Sequence, residues 1–250
     1  MKKTVYFLVF SLFFIGGCSS ATEQSDTLYV AAASDMYHAL TEVGHAFTEK
    51  TDVEIEFTYG STGQLTQQIQ EGAPFDLFLA AHDSYIDQLI DREAVYEDSK
   101  AYYSRGTIVF MHTPKVNIDD QGEFLLNDDV TTVTIANPEH APYGKAAKEA
   151  LESLEIWNEV EPKIVYAENI RQAYQYVESG NADVGIIALA LMNETDLYFE
   201  KIDGQLHEPI RQALAIPRQT NNKELAEQFS DFILSEEGQG ILKSYGFDNQ

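Results

Sequence analysis

An α/β fold, with mostly parallel sheets covered by helices, is what this sequence predicts, on three observations. Short apolar runs alternate along the chain with longer stretches in which apolar residues recur every three to four positions, the signatures of strand and helix. The runs are nearly continuous rather than alternating, as strands buried on both faces are. The composition, 44% hydrophobic and 23% charged over 250 residues, is that of a globular chain with room for one large or two medium cores.

Taken in order, Leu28 to Ala33 reads as a buried strand, and Met36, Leu40, Val43 and Phe47 then stripe one face of a helix. Val53 to Tyr59 has period two, and Leu65 and Ile69 start a second helix. Phe75 to Ala81 is a buried run, and Ile86, Leu89 and Ile90 mark a third helix. Further strands are predicted at Thr107–Met111, Val133–Ala136, Lys163–Tyr166, Val184–Ala188 and Ala213–Ile216. Helices are predicted at Gly144–Leu154, Ile170–Ser179 and Lys223–Tyr245, the last with a break at Gly238 or Gly240. This βα alternation is what argues for parallel sheets. No internal repeat or low-complexity segment interrupts it.

Charge and the amino terminus narrow the class. With 16 Lys and Arg against 41 Asp and Glu, the net charge is −25, and no basic stretch is interleaved with aromatics, so the electrostatic footprint of nucleic-acid binding is missing. A single cysteine excludes an internal disulfide framework. Lys2 and Lys3 precede an apolar run from Val5 to Phe14, too short to span a bilayer, and Ile15-Gly16-Gly17-Cys18 follows. This start resembles a bacterial lipoprotein signal, which implies removal of residues 1–17 and a lipid on Cys18. Residues 18–26, rich in Ser, Thr and Gln, read as a tether.

Catalytic motifs are not found: there is no G-x-S-x-G, H-E-x-x-H, C-x-x-C or G-x-x-x-x-G-K-[ST], and the six histidines lack metal-ligand spacing. What recurs is a small hydroxyl-bearing cluster between a strand and a helix. Ala33-Ser34-Asp35 follows the first strand and Gly60-Ser61-Thr62-Gly63 the second. In an open α/β sheet the ligand crevice lies beyond the carboxyl ends of the strands, where both clusters fall. Helix starts there offer unpaired N–H donors and a positive dipole end, which suits an anion. Taken singly, Ser34 and Thr62 read as ordinary helix caps; two adjacent clusters together with the lipoprotein-like start turn the reading toward a binding site.

The strings Ala32-Ala33-Ser34-Asp35-Met36, Tyr59-Gly60-Ser61-Thr62-Gly63 and Gln68 to Asp76 resemble the molybdate-binding proteins of bacterial ABC importers. So do Asn137 to Lys145, Ala167 to Ala173, Val177-Glu178-Ser179-Gly180 and Tyr245-Gly246-Phe247, in the same order along nearly the whole mature chain. The resemblance implies a two-lobed type II periplasmic binding protein, each lobe a mixed, mostly parallel sheet flanked by helices, with the ligand cleft between lobes. Lobe one would hold 27–106 plus 212–250 and lobe two 107–211, hinged near Arg105-Gly106 and Arg211-Gln212. The implied ligand is molybdate or tungstate, taken as an oxyanion held through its oxygens. No cofactor and no catalysis are implied.

By the same resemblance, Ser34, the Asp35 backbone and Thr62 would line lobe one, with Ser61 a lesser candidate, and Tyr143 and Ile170 would contribute from lobe two. The Tyr143 hydroxyl would replace a tyrosine that many relatives carry where Ala188 stands here. The partners implied are a permease and ATPase, with the receptor a monomer held outside the cytoplasm by the lipid on Cys18. A receptor for another small anion or organic ligand on the same fold stays open. The Asp35 side chain fits least well, because a carboxylate about 4 Å from a dianion is repelled by several kcal/mol at an intermediate dielectric. It is therefore expected to point away, capping the helix near Met36 or pairing with Arg171.

Overall fold

The computed structural model describes residues 27–248 apart from 115, 117 and 119–121. The signal segment, Cys18 and the tether lie outside the described residues. β1 (Thr27–Ala33) sits inside its sheet, and its side chains alternate between two apolar layers. Leu28, Val30 and Ala32 pack with Met36, Leu40, Val43, Phe47 and Phe229, while Ala31 packs with Leu65, Phe78, Ala80, Ile86 and Leu89. Burial on both faces is the physical reason the run carries no polar alternation.

The chain continues through α1 (Tyr37–Thr51), β2 (Glu54–Gly60), α2 (Thr62–Gln70), β3 (Leu77–Ala80), α3 (Asp83–Asp91) and β4 (Ala101–Gly106). It then crosses to a second sheet through β5 (Ile108–His112), β6 (Val133–Ala136), α4 (Pro142–Ser153), α5 (Trp157–Val160), β7 (Ile164–Ala167), α6 (Ile170–Glu178), β8 (Val184–Ala188) and β9 (Tyr198–Lys201). It returns as β10 (Ile210–Ala215) and ends in α7 (Lys223–Leu234) and α8 (Glu236–Ser244).

Two five-stranded sheets result, in the orders β2-β1-β3-β10-β4 and β7-β6-β8-β5-β9. β1 pairs in parallel with β2 and β3, and β6 with β7 and β8. β10 runs antiparallel to β3 and β4, and β5 antiparallel to β8 and β9. In each sheet the one reversed strand is the one by which the chain arrives from the other lobe. Mixed sheets with both faces covered are thus what the structure has.

Several features differ from the reading of the sequence, among them the short helix α5, which it does not include. β4 and β9 were not predicted; β9 is an exposed edge strand of sequence Tyr-Phe-Glu-Lys, so no burial imposes a pattern on it. The carboxy-terminal helix breaks at Ser235, ahead of both glycines. Ser235 is extended, closes α7 and caps α8 by accepting from Gly238 N–H at 3.2 Å. Among the described residues no helix is long and apolar enough to cross a membrane.

Candidate functional site

Both sheets direct the carboxyl ends of their parallel strands at one small void between the lobes. Its volume is about 190 Å³ including its mouth, and its lining includes Ser34, Asp35, Ser61, Thr62, Tyr143 and Ile170. Even with its mouth included, that is below the range of pockets for drug-sized ligands. The structure therefore brings together all six residues singled out in the sequence.

Helix starts supply the donors. α2, α4 and α6 begin at Thr62, Pro142 and Ile170, and a short 3₁₀ turn, Ser34–Met36, follows β1. Some of their first-turn N–H groups are already used: Gln64 N–H donates to Ser61 Oγ at 3.4 Å, Arg171 N–H to Ser34 Oγ at 3.3 Å and Gln172 N–H to Asn169 Oδ1 at 3.0 Å. First-turn N–H groups have no intrahelical acceptor, and Thr62, Tyr143 and Ile170, each in the first turn of its helix, line the void. α4 has no side-chain cap, and Pro142 occupies its first turn.

The hydroxyls have distinct tasks. Thr62 is no cap: its Oγ1 accepts from the buried Ala81 N–H at 3.1 Å, tying α2 to the end of β3. Ser61 is the cap of α2, donates to Gln64 Oε1 at 3.0 Å, and lies 2.8 Å from His140 Nδ1 across the cleft. Ser34 Oγ donates to Asn169 Oδ1 at 3.1 Å, also across the cleft. Gly63 donates its N–H to His140 O at 2.8 Å, and a Cβ on Gly63 would stand 2.8 Å from both Cβ and O of His140. Only glycine lets the two lobes approach this closely.

Asp35 and Tyr143 depart from expectation. Asp35 neither caps the following helix with its side chain nor pairs with Arg171, whose guanidinium lies 3.4 Å from the Tyr37 ring centroid. Its carboxylate is fully buried and accepts at Oδ2 from Gln212 Nε2 at 2.6 Å and from the Tyr143 hydroxyl at 3.0 Å. The Tyr143 hydroxyl, expected to donate into the site, is thus committed to Asp35. The physical reason is proximity to the strand crossing: a Cβ on Gly106, at the end of β4, would lie 2.2 Å from Tyr143 Oη, so the phenol is wedged against it.

Burial pushes the Asp35 carboxyl up to about 6, against the opposing hydrogen bonds from Gln212 and Tyr143. Burial also holds the Tyr143 and Tyr103 phenols well above their ordinary value, the nearby Asp35 charge adding to it. Both phenols are neutral donors.

Gln212, Asn169 and His140 were not singled out as site residues. Asn169, directly before an apolar helical period, carries a readable cap signal; Gln212, a polar residue opening the apolar run from Ala213 to Ile216, had only its place in the strand to mark it. A larger void of about 500 Å³, lined by His82, Tyr85, Lys145 and Glu208 among others, also lies between the lobes. Its lysine is already paired with Glu208 at 2.8 Å and Glu149 at 3.2 Å, so it offers no net positive surface to an anion. Among the described residues, no three His, Cys, Asp or Glu side chains are grouped to hold a metal cation.

Two lobes with a donor-lined cleft at their strand ends define a solute-binding protein. The family model for bacterial extracellular solute-binding proteins matches residues 28–248, and the chain belongs to that family. Within it, the chain is 31% identical to the molybdate-binding protein ModA of Rhodobacter capsulatus, over 87% of this chain and 86% of that one. It is 30% identical to ModA of Azotobacter vinelandii, over 94% of each chain. A putative ABC transporter substrate-binding lipoprotein of Bacillus subtilis is 29% identical over 98% of each. The solved periplasmic molybdate-binding protein of Azotobacter vinelandii superimposes with a TM-score of 0.83 at 27% identity, covering 89% of this chain and 99% of that one.

Proposed function

We propose that this protein is an extracytoplasmic receptor that captures molybdate or tungstate and delivers it to an ABC importer, without catalysing a reaction. The observation that carries the reading is the 190 Å³ void with its lining of Ser34, Ser61, Thr62, Tyr143 and Ile170. A dehydrated dianion is best held by many short hydrogen bonds from neutral donors, and hydroxyls plus helix-start N–H groups provide them without a fixed cation. Selectivity follows from size. A ring of donors fitted to the longer metal–oxygen bonds of molybdate is incompletely reached by sulfate, and each unmade buried hydrogen bond is costly.

In this reading residues 27–106 with 212–250 and residues 107–211 act as two lobes that close about the β4–β5 and β9–β10 crossings. Ser34, Thr62 and the backbone N–H groups of Asp35, Tyr143 and Ile170 contact the oxyanion, while Ser61 caps and clasps. Cys18 carries the lipid; the sequence Ile15-Gly16-Gly17-Cys18 and the lipoprotein relative support this, and mass spectrometry of the mature amino terminus tests it.

The ligand assignment is tested by thermal melts. A ligand at about 100 Kd that binds only the folded state adds about 2.7 kcal/mol. In a chain of this size that raises Tm by about 5–10 °C. Molybdate or tungstate should give that shift and sulfate should not. A rise with sulfate or phosphate alone would contradict the assignment.

A further inference from the structure

Asp35 is the only acidic residue lining the small void, and among the described residues no cation pairs with its carboxylate. From α4 it meets the Tyr143 phenol, from β10 the Gln212 amide, and from β4 the Tyr103 phenol, which donates to Ala80 O at 3.2 Å. Arg171, at the start of α6, is stacked on Tyr37. Oδ2 takes both of the side-chain hydrogen bonds to the carboxylate, and Oδ1 is buried with no side chain donating to it. The site proposed above for a dianion therefore holds an acidic residue whose charge is compensated by neutral donors alone, the Gln212 amide, the Tyr143 phenol and the backbone N–H groups of Asp35 and Met36.

We propose that Asp35 takes up one proton from solvent as the oxyanion enters, so that the occupied site is lined by a neutral carboxylic acid. One O–H bond forms, on Oδ1, and no other bond changes; Oδ2 keeps its donors from Tyr143 and Gln212. The inference rests on the oxyanion reading of the same site. A dianion seated among Ser34, Thr62, Tyr143 and Ile170 stands close to Asp35, which lines the same void, and like charge at short range strongly favours the neutral acid. Burial has already brought the empty site to the edge of protonation, at about 6. Capture therefore strengthens as pH falls toward that value, by about tenfold per pH unit above it, as one-proton linkage requires.

The test is calorimetric titration of the wild-type protein with sodium molybdate near about pH 7.5, in two buffers of different ionisation enthalpy, which yields the protons taken up per ion bound. Between about half and one proton per molybdate is expected, and none for Asp35→Asn, whose Kd should also be flat from about pH 6.5 to 8.5. The carbonyl-carbon NMR signal of Asp35 in the wild type, moving from the ionised to the protonated position on adding molybdate, reads the same event without a variant. Molybdate binding with no proton uptake and a pH-independent Kd would overturn the proposal while leaving the receptor reading intact. No binding heat with either molybdate or tungstate would overturn both.

Discussion

Ser61 and Thr62 are adjacent hydroxyls that sequence alone cannot tell apart, yet one caps a helix and the other satisfies a strand-end N–H. Thr62→Ala leaves the buried Ala81 N–H without its acceptor, which costs about 1–3 kcal/mol of stability, together with a loss of molybdate affinity of about tenfold or more. Thr62→Ser keeps the hydroxyl and should keep both; denaturant melts and titration of the two variants separate them. Asp35 gives a second expectation, independent of ligand. Its folded value of about 6 lies above its ordinary 3.8, so the folded state binds the extra proton and stability falls as pH rises between those values. The full cost, about 3 kcal/mol, is present above about pH 6. The stability difference between wild type and Asp35→Asn, in which the other carboxylates cancel, should therefore move in favour of the variant by about 2–3 kcal/mol from pH 4 to pH 7. A pH-independent difference would show that the carboxyl is not strained by burial. Ser34, Ser61 and Thr62 were legible because hydroxyl clusters between a strand and a helix leave a local signal, whereas Tyr143 and Ile170 were reached only through the family resemblance. The sequence misdirected the Asp35 carboxylate and the Tyr143 hydroxyl because their partner, Gln212, is 177 residues from Asp35, and no local pattern encodes that contact.

At the scale of elements, the starts of α2, α4 and α6 meet because small or capped residues let them. The clasp across the cleft joins Ser34 to Asn169, Ser61 and Gly63 to His140, and Gln64 to Glu168 at 3.1 Å, with Arg171 over Tyr37. Gly63→Ala adds a Cβ at 2.8 Å from the His140 backbone oxygen and side chain, which blocks closure. The substitution lies in a helix first turn and favours the helix itself. The expected result is an unchanged or slightly raised Tm in the absence of ligand, with molybdate affinity lowered by about two orders of magnitude and a larger radius of gyration in the presence of ligand. Tight binding with full closure would mean that the clasp yields easily. Most elements were legible because buried parallel strands and amphipathic helices imprint strong periods, as in β1, α1 and β8. β4 and β9 left weak ones. β4 mixes Tyr, Ser and Arg, and β9 is an exposed edge, so pairing with a distant strand and not burial defines both. The break falls at Ser235 because its hydroxyl caps α8, whereas the two glycines lie inside that helix and do not end it.

For the molecule as a whole, a net charge of −25 opposes the approach of any dianion, and the cleft compensates only at contact range. Exposed charges are screened beyond about 8 Å at physiological ionic strength. The association rate of molybdate should therefore rise with ionic strength, by severalfold between low and physiological salt, while the dissociation rate, governed by buried hydrogen bonds, changes little; stopped-flow fluorescence reads both. A falling association rate would place an unrecognised positive surface at the cleft mouth. The central claim is that a size-matched oxyanion closes two lobes around neutral donors from converging helix starts. Parallel calorimetric titrations with molybdate, tungstate, sulfate and phosphate test it most directly. Tight one-to-one binding of molybdate and tungstate, with sulfate and phosphate weaker by at least about a thousandfold, is the predicted result. Equal affinity for sulfate, or binding of phosphate alone, would contradict it.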